Sequence, residues 1–203
     1  MKRLLPHCRY VALLCMGLWL AGCASAPAPL QGDPWLQRKQ QLLALEHWSA
    51  TGKIALRNGQ QAESANLSWQ QQQSATTVQL SGPLGLQATQ LHSDGRTLEV
   101  TQGETLRRFD LSSPDVMARE TGWDLPLASL PYWLKGIPAP EPAPVTLDLA
   151  DNLLQLLLQS GWQIRYERYQ QVGAHVLPTR LTLERGATRA EVIIQHWQAG
   201  ATP

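Results

Sequence analysis

Short stretches in which apolar and polar residues alternate recur over most of the chain, and they restrict the fold more than any other feature. The apolar positions of the first stretch are Ala50, Gly52, Ile54 and Leu56. A period of two is that of a β-strand with one buried face. Turn sequences such as Asn58-Gly59 and Asp94-Gly95 separate neighbouring stretches. The pattern predicts an antiparallel meander with one apolar face.

The last third of the chain repeats this alternation, for example from Trp162 to Tyr166 and from Ala190 to Ile194. Ten or eleven strands are expected in all. A sheet of that size curls instead of staying flat. We therefore expect a mainly β protein in which one curled antiparallel sheet packs on short helices.

Three segments carry helical signals instead. Apolar residues recur at helical spacing from Trp35 to Trp48, and Ser113 to Gly122 begins with a capping sequence. A third helix is expected between Pro126 and Gly136, interrupted at Pro131 because proline removes a helical hydrogen bond. The alternating prolines from Pro138 to Pro144 predict an extended connector.

The amino terminus has the composition of an export signal. Basic residues precede an apolar run that is too short to span a bilayer, and Leu20-Ala21-Gly22-Cys23 resembles a lipobox. This predicts a signal peptide over residues 1–22 and a lipid on Cys23. The alternative is an ordinary secretory signal with a chance cysteine. Ala24, where inner-membrane lipoproteins often carry Asp, favours the outer membrane.

Residues 23–34 are rich in Pro, Ala and Gly and predict a flexible tether, followed by a single domain over residues 35–203. Without the signal peptide, 14 Lys and Arg face 16 Asp and Glu, so the net charge is −2. This balance argues against a nucleic-acid partner. Cys23 is then the sole cysteine, which excludes a disulfide and a cysteine metal site within the chain.

Catalytic and metal-binding patterns do not rise above background. Thr51-Gly52-Lys53 lacks the first glycine of a phosphate-binding loop, and no Gly-x-Ser-x-Gly sequence occurs. The histidines are scattered singly, without metal-ligand spacing. We expect no enzyme activity, no cofactor and no metal site.

The apolar residues leave two readings open. Without the signal peptide, seven tryptophans accompany one phenylalanine, and they serve either a filled core or the wall of an apolar cavity. Leu84, between Pro83 and Gly85, stands in a turn sequence. The Leu84 side chain either packs back against the folded domain or is exposed for contact with an apolar partner.

A series of short motifs resembles the LolB family, whose members are outer-membrane receptors for lipoproteins. The series spans nearly the whole exported chain. Its members are the lipobox, Trp35, the Ser49–Leu56 strand, Leu67-Ser68-Trp69-Gln70, Gly82-Pro83-Leu84-Gly85, Pro126 to Gly136, Trp162 to Tyr169, Leu177-Pro178 and Trp197.

The resemblance implies a half-barrel covered by helices around an apolar cavity that holds lipoprotein acyl chains. It also implies a soluble LolA-like periplasmic carrier, acylated lipoprotein as cargo, and membrane contact through the loop of Pro83, Leu84 and Gly85. We expect a monomer. The strand faces and the short helix suggest as cavity-lining residues Ile54, Leu67, Trp69, Val78, Leu86 and Trp133.

Two other functions stay open at this point. A structural or assembly-scaffold lipoprotein would have a solid core and an exposed patch for a protein partner. A lipid hydrolase would need a Ser-His-acid set, for which the sequence has no motif.

Overall fold

The computed structural model describes residues 33–59, 61–82, 88–111 and 125–200, which contain two helices and eleven strands. Helix α1 covers Pro34–Leu43 and helix α2 covers Leu130–Leu134. The strands are β1 (His47–Asn58), β2 (Gln61–Gln72), β3 (Ala75–Ser81), β4 (Thr89–Ser93), β5 (Thr97–Gln102), β6 (Thr105–Asp110), β7 (Thr146–Ala150), β8 (Leu153–Gln159), β9 (Trp162–Val172), β10 (His175–Arg185) and β11 (Thr188–Ala199).

All eleven strands form one antiparallel sheet in the order β6-β5-β4-β3-β2-β1-β11-β10-β9-β8-β7. The first and last strands of the chain therefore pair in the middle, and β6 and β7 are the edges of this unclosed, curled sheet. The prediction of a curled antiparallel sheet with ten or eleven strands is confirmed. Most strands have one apolar side and join the next through a short connection, which produces the meander, whereas β6 and β7 are connected by the long segment that contains α2.

The two halves of the sheet meet at Gly52. The register between β1 and β11 shifts between Thr51 and Gly52, which is a β-bulge. A Cβ atom on Gly52 would lie 1.9 Å from the carbonyl oxygen of Ile193. A side chain at this position would therefore push the two central strands apart.

Helix α1 begins where the sequence predicts but ends earlier. The Asp33 side chain accepts a hydrogen bond from the Trp35 amide at 2.9 Å, which caps the helix, and Pro34 occupies the first turn. The helix ends at Leu43, so the predicted extension to Trp48 was wrong. Trp48 belongs to β1, because the inward face of that strand continues its alternation back to this residue.

Helix α2 is shorter than the predicted segment. A turn at Pro126 precedes it, and the helix starts at Leu130 with Pro131 in its first turn. The missing amide of Pro131 costs nothing there, because first-turn amides have no partner within a helix. The interruption predicted at Pro131 thus takes the form of a late helix start. The helix predicted from Ser113 to Gly122 lies outside the described residues.

The carboxyl-terminal half of the sheet has a filled core. Helix α2 and the segment behind it bury Trp133 and Ile137, both fully, among side chains of β8 to β10. These sheet residues include Leu154, Leu157, Trp162, Ile164 and Leu181. The interpretation as a filled core therefore holds for this half of the protein.

Among the described residues, neither of the two helices could span a membrane.

Candidate functional site

The amino-terminal half of the sheet is not filled. A cavity of about 630 Å³ lies over its concave face, a volume within the range of small-molecule sites. Most of its lining residues are aliphatic, and they come from β1 to β5, from β10 and β11 beside β1, and from the segment around α2. The lining aliphatic residues include Ile54, Leu56, Leu67, Val78, Leu80, Leu91, Val100, Leu125, Leu127, Leu130 and Leu134.

Four of the residues proposed from the sequence lie together in this wall: Ile54, Leu67, Trp69 and Val78. The strand registers explain the grouping. Leu67 is opposite Leu80, and Trp69 is opposite Val78, so inward positions of β2 and β3 stand side by side. Val78 is in turn opposite Leu91 on β4. Sequence reasoning missed Leu91, because β4 is short and was not recognised as a strand.

Trp133 does not belong to the described lining and corrects the expectation for this residue. Its side chain is fully buried, and its ring lies 6.3 Å from that of Trp162. Its indole N–H donates to the side-chain oxygen of Gln159 at 2.8 Å. The residue points into the filled half because α2 turns this side of the helix towards β8 and β9.

Several predicted site residues lie outside the described residues. They are Cys23, Pro83, Leu84, Gly85 and Leu86. The residues that flank this loop are described. Gly82 follows β3, Thr89 begins β4, and both line the first cavity. The predicted membrane-contact loop is therefore flanked in the chain by two residues that line this cavity.

Polar residues surround the same end of the cavity. Glu63, Ser64, Gln102 and Arg107 belong to its lining, near the ends of β2, β5 and β6. Arg107 also lies over the ring of Phe109, with 5.8 Å between the guanidinium carbon and the ring centre. The interior is thus apolar and the end beside the loop is polar, as expected for a site that takes up an apolar group from water.

A second cavity, of about 730 Å³, occupies the opposite end of the same half-sheet. The two cavities share four apolar wall residues: Val78, Leu91, Leu125 and Leu127. The lining of the second cavity contains more polar side chains than that of the first: Glu46, Gln71, Gln73, Ser74, Thr76, Ser93 and Lys135.

Lys135 is the unusual group in this second cavity. Its side-chain nitrogen donates to the carbonyl oxygens of Leu42 and Leu45, at 2.6 and 3.0 Å. Burial lowers the pKa of this lysine to about 8, although the nearby Glu46 carboxylate opposes the shift. The lysine ties the end of α1 to the end of α2, and nothing in the sequence pattern distinguished it.

Three tryptophans pack together where β1, β2 and β11 meet. The rings of Trp48 and Trp69 stack at 6.0 Å with an angle of 10°, and Trp197 lies 5.3 Å from Trp48. Trp69 donates to Gln71, and Trp197 donates to the carbonyl oxygen of Pro178. The cluster forms a rigid junction between the two halves of the sheet, beside both cavities.

The lining of the first cavity suits an apolar ligand. The walls of the first cavity are mostly aliphatic. Among the described residues, no group of three or more His, Cys, Asp or Glu could hold a metal ion. A ligand in this cavity would be retained mainly by burial of apolar surface.

Solved structures from two other protein families share this fold. A DUF1329 family protein from Desulfovibrio piger aligns with a TM-score of 0.56 at 8% identity, over 81% of this chain and 90% of that one. A LolA superfamily protein from Nitrosomonas europaea aligns with a TM-score of 0.50 at 11% identity, over 82% and 95%. At these identities the comparison shows the fold alone.

Sequence comparison is more specific. The sequence profile of the family described as outer membrane lipoprotein LolB matches residues 46–197. Outer-membrane lipoprotein LolB from Chromohalobacter salexigens is 37% identical over 185 residues, covering 88% of this chain and 85% of that protein. The protein of that name from Pseudomonas aeruginosa is 38% identical, covering 88% and 90%. The chain therefore belongs to the LolB family of outer-membrane lipoproteins.

Proposed function

We propose that this protein is an outer-membrane receptor that accepts lipoproteins from a soluble, LolA-like periplasmic carrier and inserts them into the outer membrane. The acyl chains of the cargo occupy the first cavity during this transfer. The main support for the proposal is the apolar cavity over β1 to β5 in a member of the LolB family. The protein acts by binding and release, without an enzymatic step, and as a monomer.

The energetics explain why a receptor is needed. Exposing an acyl chain of roughly fifteen methylenes to water costs on the order of 12 kcal/mol, at about 0.8 kcal/mol for each methylene. Direct passage from one apolar cavity to another avoids this cost. The transfer then needs only a modest difference in affinity between carrier and receptor, and no nucleotide.

The domain organisation follows from the same role. Residues 1–22 direct export and are removed, and a lipid on Cys23 anchors the protein to the periplasmic face of the outer membrane. Residues 23–34 form the tether, and residues 35–203 form the acyl-chain-binding domain. More than one acyl chain on Cys23 gives stable anchoring, whereas a single chain binds only marginally.

The acyl chains contact Ile54, Leu67, Trp69, Val78 and Leu86. Four of them belong to the cavity wall, and Leu86 lies in the loop between the rim residues Gly82 and Thr89. Pro83, Leu84 and Gly85 of this loop contact the membrane. Their position in the chain, between two residues at the cavity rim, supports a role at the moment of release.

Adjacent positions of β3 provide a matched test. Leu80 is half-buried and lines the first cavity, whereas its neighbour Gln79 is exposed on the other face of the strand. Leu80→Glu places a carboxylate in the path of the acyl chain, and Gln79→Glu adds the same charge outside. The assay is transfer of a fluorescent lipoprotein from the carrier to full-length receptor and on to liposomes.

We expect Leu80→Glu to lower cargo acceptance by at least about tenfold, because an unpaired charge is costly in an apolar site. Gln79→Glu should match the wild type. Equal transfer by both variants would rule out the first cavity as the acyl site. If the wild type ignored acylated cargo but captured an envelope protein, the scaffold function would replace this proposal.

A further inference from the structure

Helix α1 packs across one end of the sheet. Just after the helix, the Glu46 carbonyl accepts a hydrogen bond of 2.9 Å from the Gln73 amide, in the turn between β2 and β3. Arg38 donates to the Val176 carbonyl near the start of β10, and its guanidinium lies over the ring of Tyr169 on β9. These turns share one end of the antiparallel sheet. The end of β3 and the start of β4, which flank the predicted membrane-contact loop, lie at the opposite end.

The same helix exposes two leucines to solvent. Leu36 is 52% exposed and Leu43 is 38% exposed, although the helix buries Trp35 and Leu42 in the core. Residues seven positions apart fall on the same face of a helix, so Leu36 and Leu43 form one stripe beside the buried one. We call these two residues the leucine stripe. An apolar surface that stays exposed beside polar residues is typical of a site that contacts a membrane or another protein.

The charge of α1 agrees with a phospholipid surface as the partner. The helix contains Arg38 and Lys39 but no acidic residue. Lys39 comes three residues after Leu36 and four before Leu43, so it neighbours the leucine stripe on the helix surface. Leucines beside basic side chains are typical of helices that lie on a membrane, where the basic groups meet lipid phosphates.

The length of the tether places a bilayer close to this helix. Residues 24–33 separate Cys23 from α1. Ten residues span at most about 35 Å when extended, and about 17 Å on average when flexible. A lipid on Cys23 therefore holds the leucine stripe at a high effective concentration near the membrane. The opposite end of the sheet is farther away, because β3 alone is about 23 Å long, at about 3.3 Å for each of its residues.

We propose that the leucine stripe of α1, together with Lys39, rests on the outer membrane while the receptor waits for cargo. This orientation rests on the proposed lipid anchor at Cys23 and adds a second membrane contact to the proposed function. It directs the polar end of the first cavity into the periplasm, where the carrier arrives. Release then requires the receptor to turn its other end towards the bilayer, and an extended tether is long enough for this movement.

Fluorescence quenching in liposomes tests the orientation. The lipid occupies the thiol of Cys23, which is the sole cysteine of the exported chain, so a second cysteine can be labelled selectively. Gln40→Cys carries the fluorophore beside the leucine stripe, and Gln61→Cys carries it at the start of β2, at the opposite end. Both positions are exposed. The lipidated receptor is placed in liposomes of phosphatidylethanolamine and phosphatidylglycerol that contain a lipid with a nitroxide near its headgroup.

We expect quenching at position 40 to exceed that at position 61 by at least about threefold, because the helix lies at the bilayer surface. Leu36→Glu should reduce the quenching at position 40 to the level at position 61. Gln37→Glu is the matched control, since it adds the same charge at an exposed position of α1 outside the leucine stripe, and it should change the quenching little. Leu36 lines neither cavity, so Leu36→Glu should still accept cargo.

Equal quenching at the two positions, or undiminished quenching in Leu36→Glu, would overturn the membrane contact of α1 while cargo transfer continued. Cargo acceptance is also measured in solution, with the complete chain 23–203 carrying Cys23→Ser. If Leu36→Glu abolished acceptance there, the leucine stripe would bind the carrier, and the proposal would be wrong. Failure of the wild type to accept acylated cargo would overturn the proposed function but not the orientation that quenching measures.

Discussion

The side-chain oxygen of Gln159 accepts a hydrogen bond of 2.8 Å from the indole N–H of Trp133. The same oxygen accepts from the Ala139 amide at 2.9 Å, and the Gln159 nitrogen donates to the Ala139 carbonyl at 2.9 Å. Gln159 is 1% exposed. One buried amide thus joins α2, the proline-rich connector and β8, and it keeps Trp133 in the filled half of the protein.

Gln159→Ala should lower the free energy of unfolding by about 3 kcal/mol, because it leaves buried polar groups of Trp133 and Ala139 without partners. Gln155→Ala is the control, since Gln155 is exposed on the same strand, and it should change stability little. Urea unfolding of both variants measures the difference. Equal stability of the two would show that the Gln159 network does not support the fold.

Much of the fold is readable from the sequence, because the sheet has one consistently apolar face. The inward positions of β1 show this, from Ala50 to Leu56. The edge strand β6 was missed, since its pattern is inverted: Leu106 is 53% exposed, while Arg107 lines the first cavity. An edge strand with a solvated face lacks the apolar alternation on which strand prediction depends.

The division between a filled and an unfilled half could not be predicted. Trp69 and Trp133 are both buried aromatic residues, yet one lines a cavity and the other fills a core. The difference depends on where α2 packs over the sheet, which is a long-range property. The structural role of Lys135 became apparent only through its burial and its hydrogen bonds to Leu42 and Leu45.

The close contact between Gly52 on β1 and Ile193 on β11 leads to a second prediction. Gly52→Ala should destabilise the protein by about 2–4 kcal/mol, because the added methyl group meets the Ile193 carbonyl in the middle of the sheet. Gly59→Asn is the control. Gly59 has a φ of +59°, and among the described residues other than its chain neighbours no atom lies within 4 Å of an added Cβ; asparagine tolerates that conformation. Thermal unfolding that ranks Gly59→Asn below Gly52→Ala would contradict the packing described here.

The lowered pKa of Lys135 predicts a pH dependence of stability. The pKa is about 8 in the folded protein against 10.5 for an ordinary lysine, so between these values the unfolded chain binds the proton more strongly. The contribution of Lys135 to stability therefore rises with pH across this window. The melting temperature of the wild type minus that of Lys135→Met should increase from about pH 7 to about pH 9.5. A constant or decreasing difference would mean that the lysine is not desolvated.

If Leu84 contacts the membrane as proposed, its substitution should affect the release of cargo but not the acceptance of cargo. Leu84→Glu should leave the melting temperature and cargo acceptance nearly unchanged, while delivery to liposomes fails. A single leucine contributes only a few kcal/mol on burial, which is too little to anchor the protein but enough to orient the cavity rim at a bilayer. If this variant lost several kcal/mol of stability, the leucine would be part of the core instead.

Photo-crosslinking can show directly whether acyl chains occupy the first cavity. A lipopeptide with a diazirine at the end of one palmitoyl chain is bound to the complete chain 23–203 carrying Cys23→Ser, irradiated, and mapped by mass spectrometry. We predict adducts on the inward residues of β2 to β5, namely Leu67, Val78, Leu91 and Val100. Adducts confined to exposed apolar residues such as Leu36 and Leu149 would contradict the account.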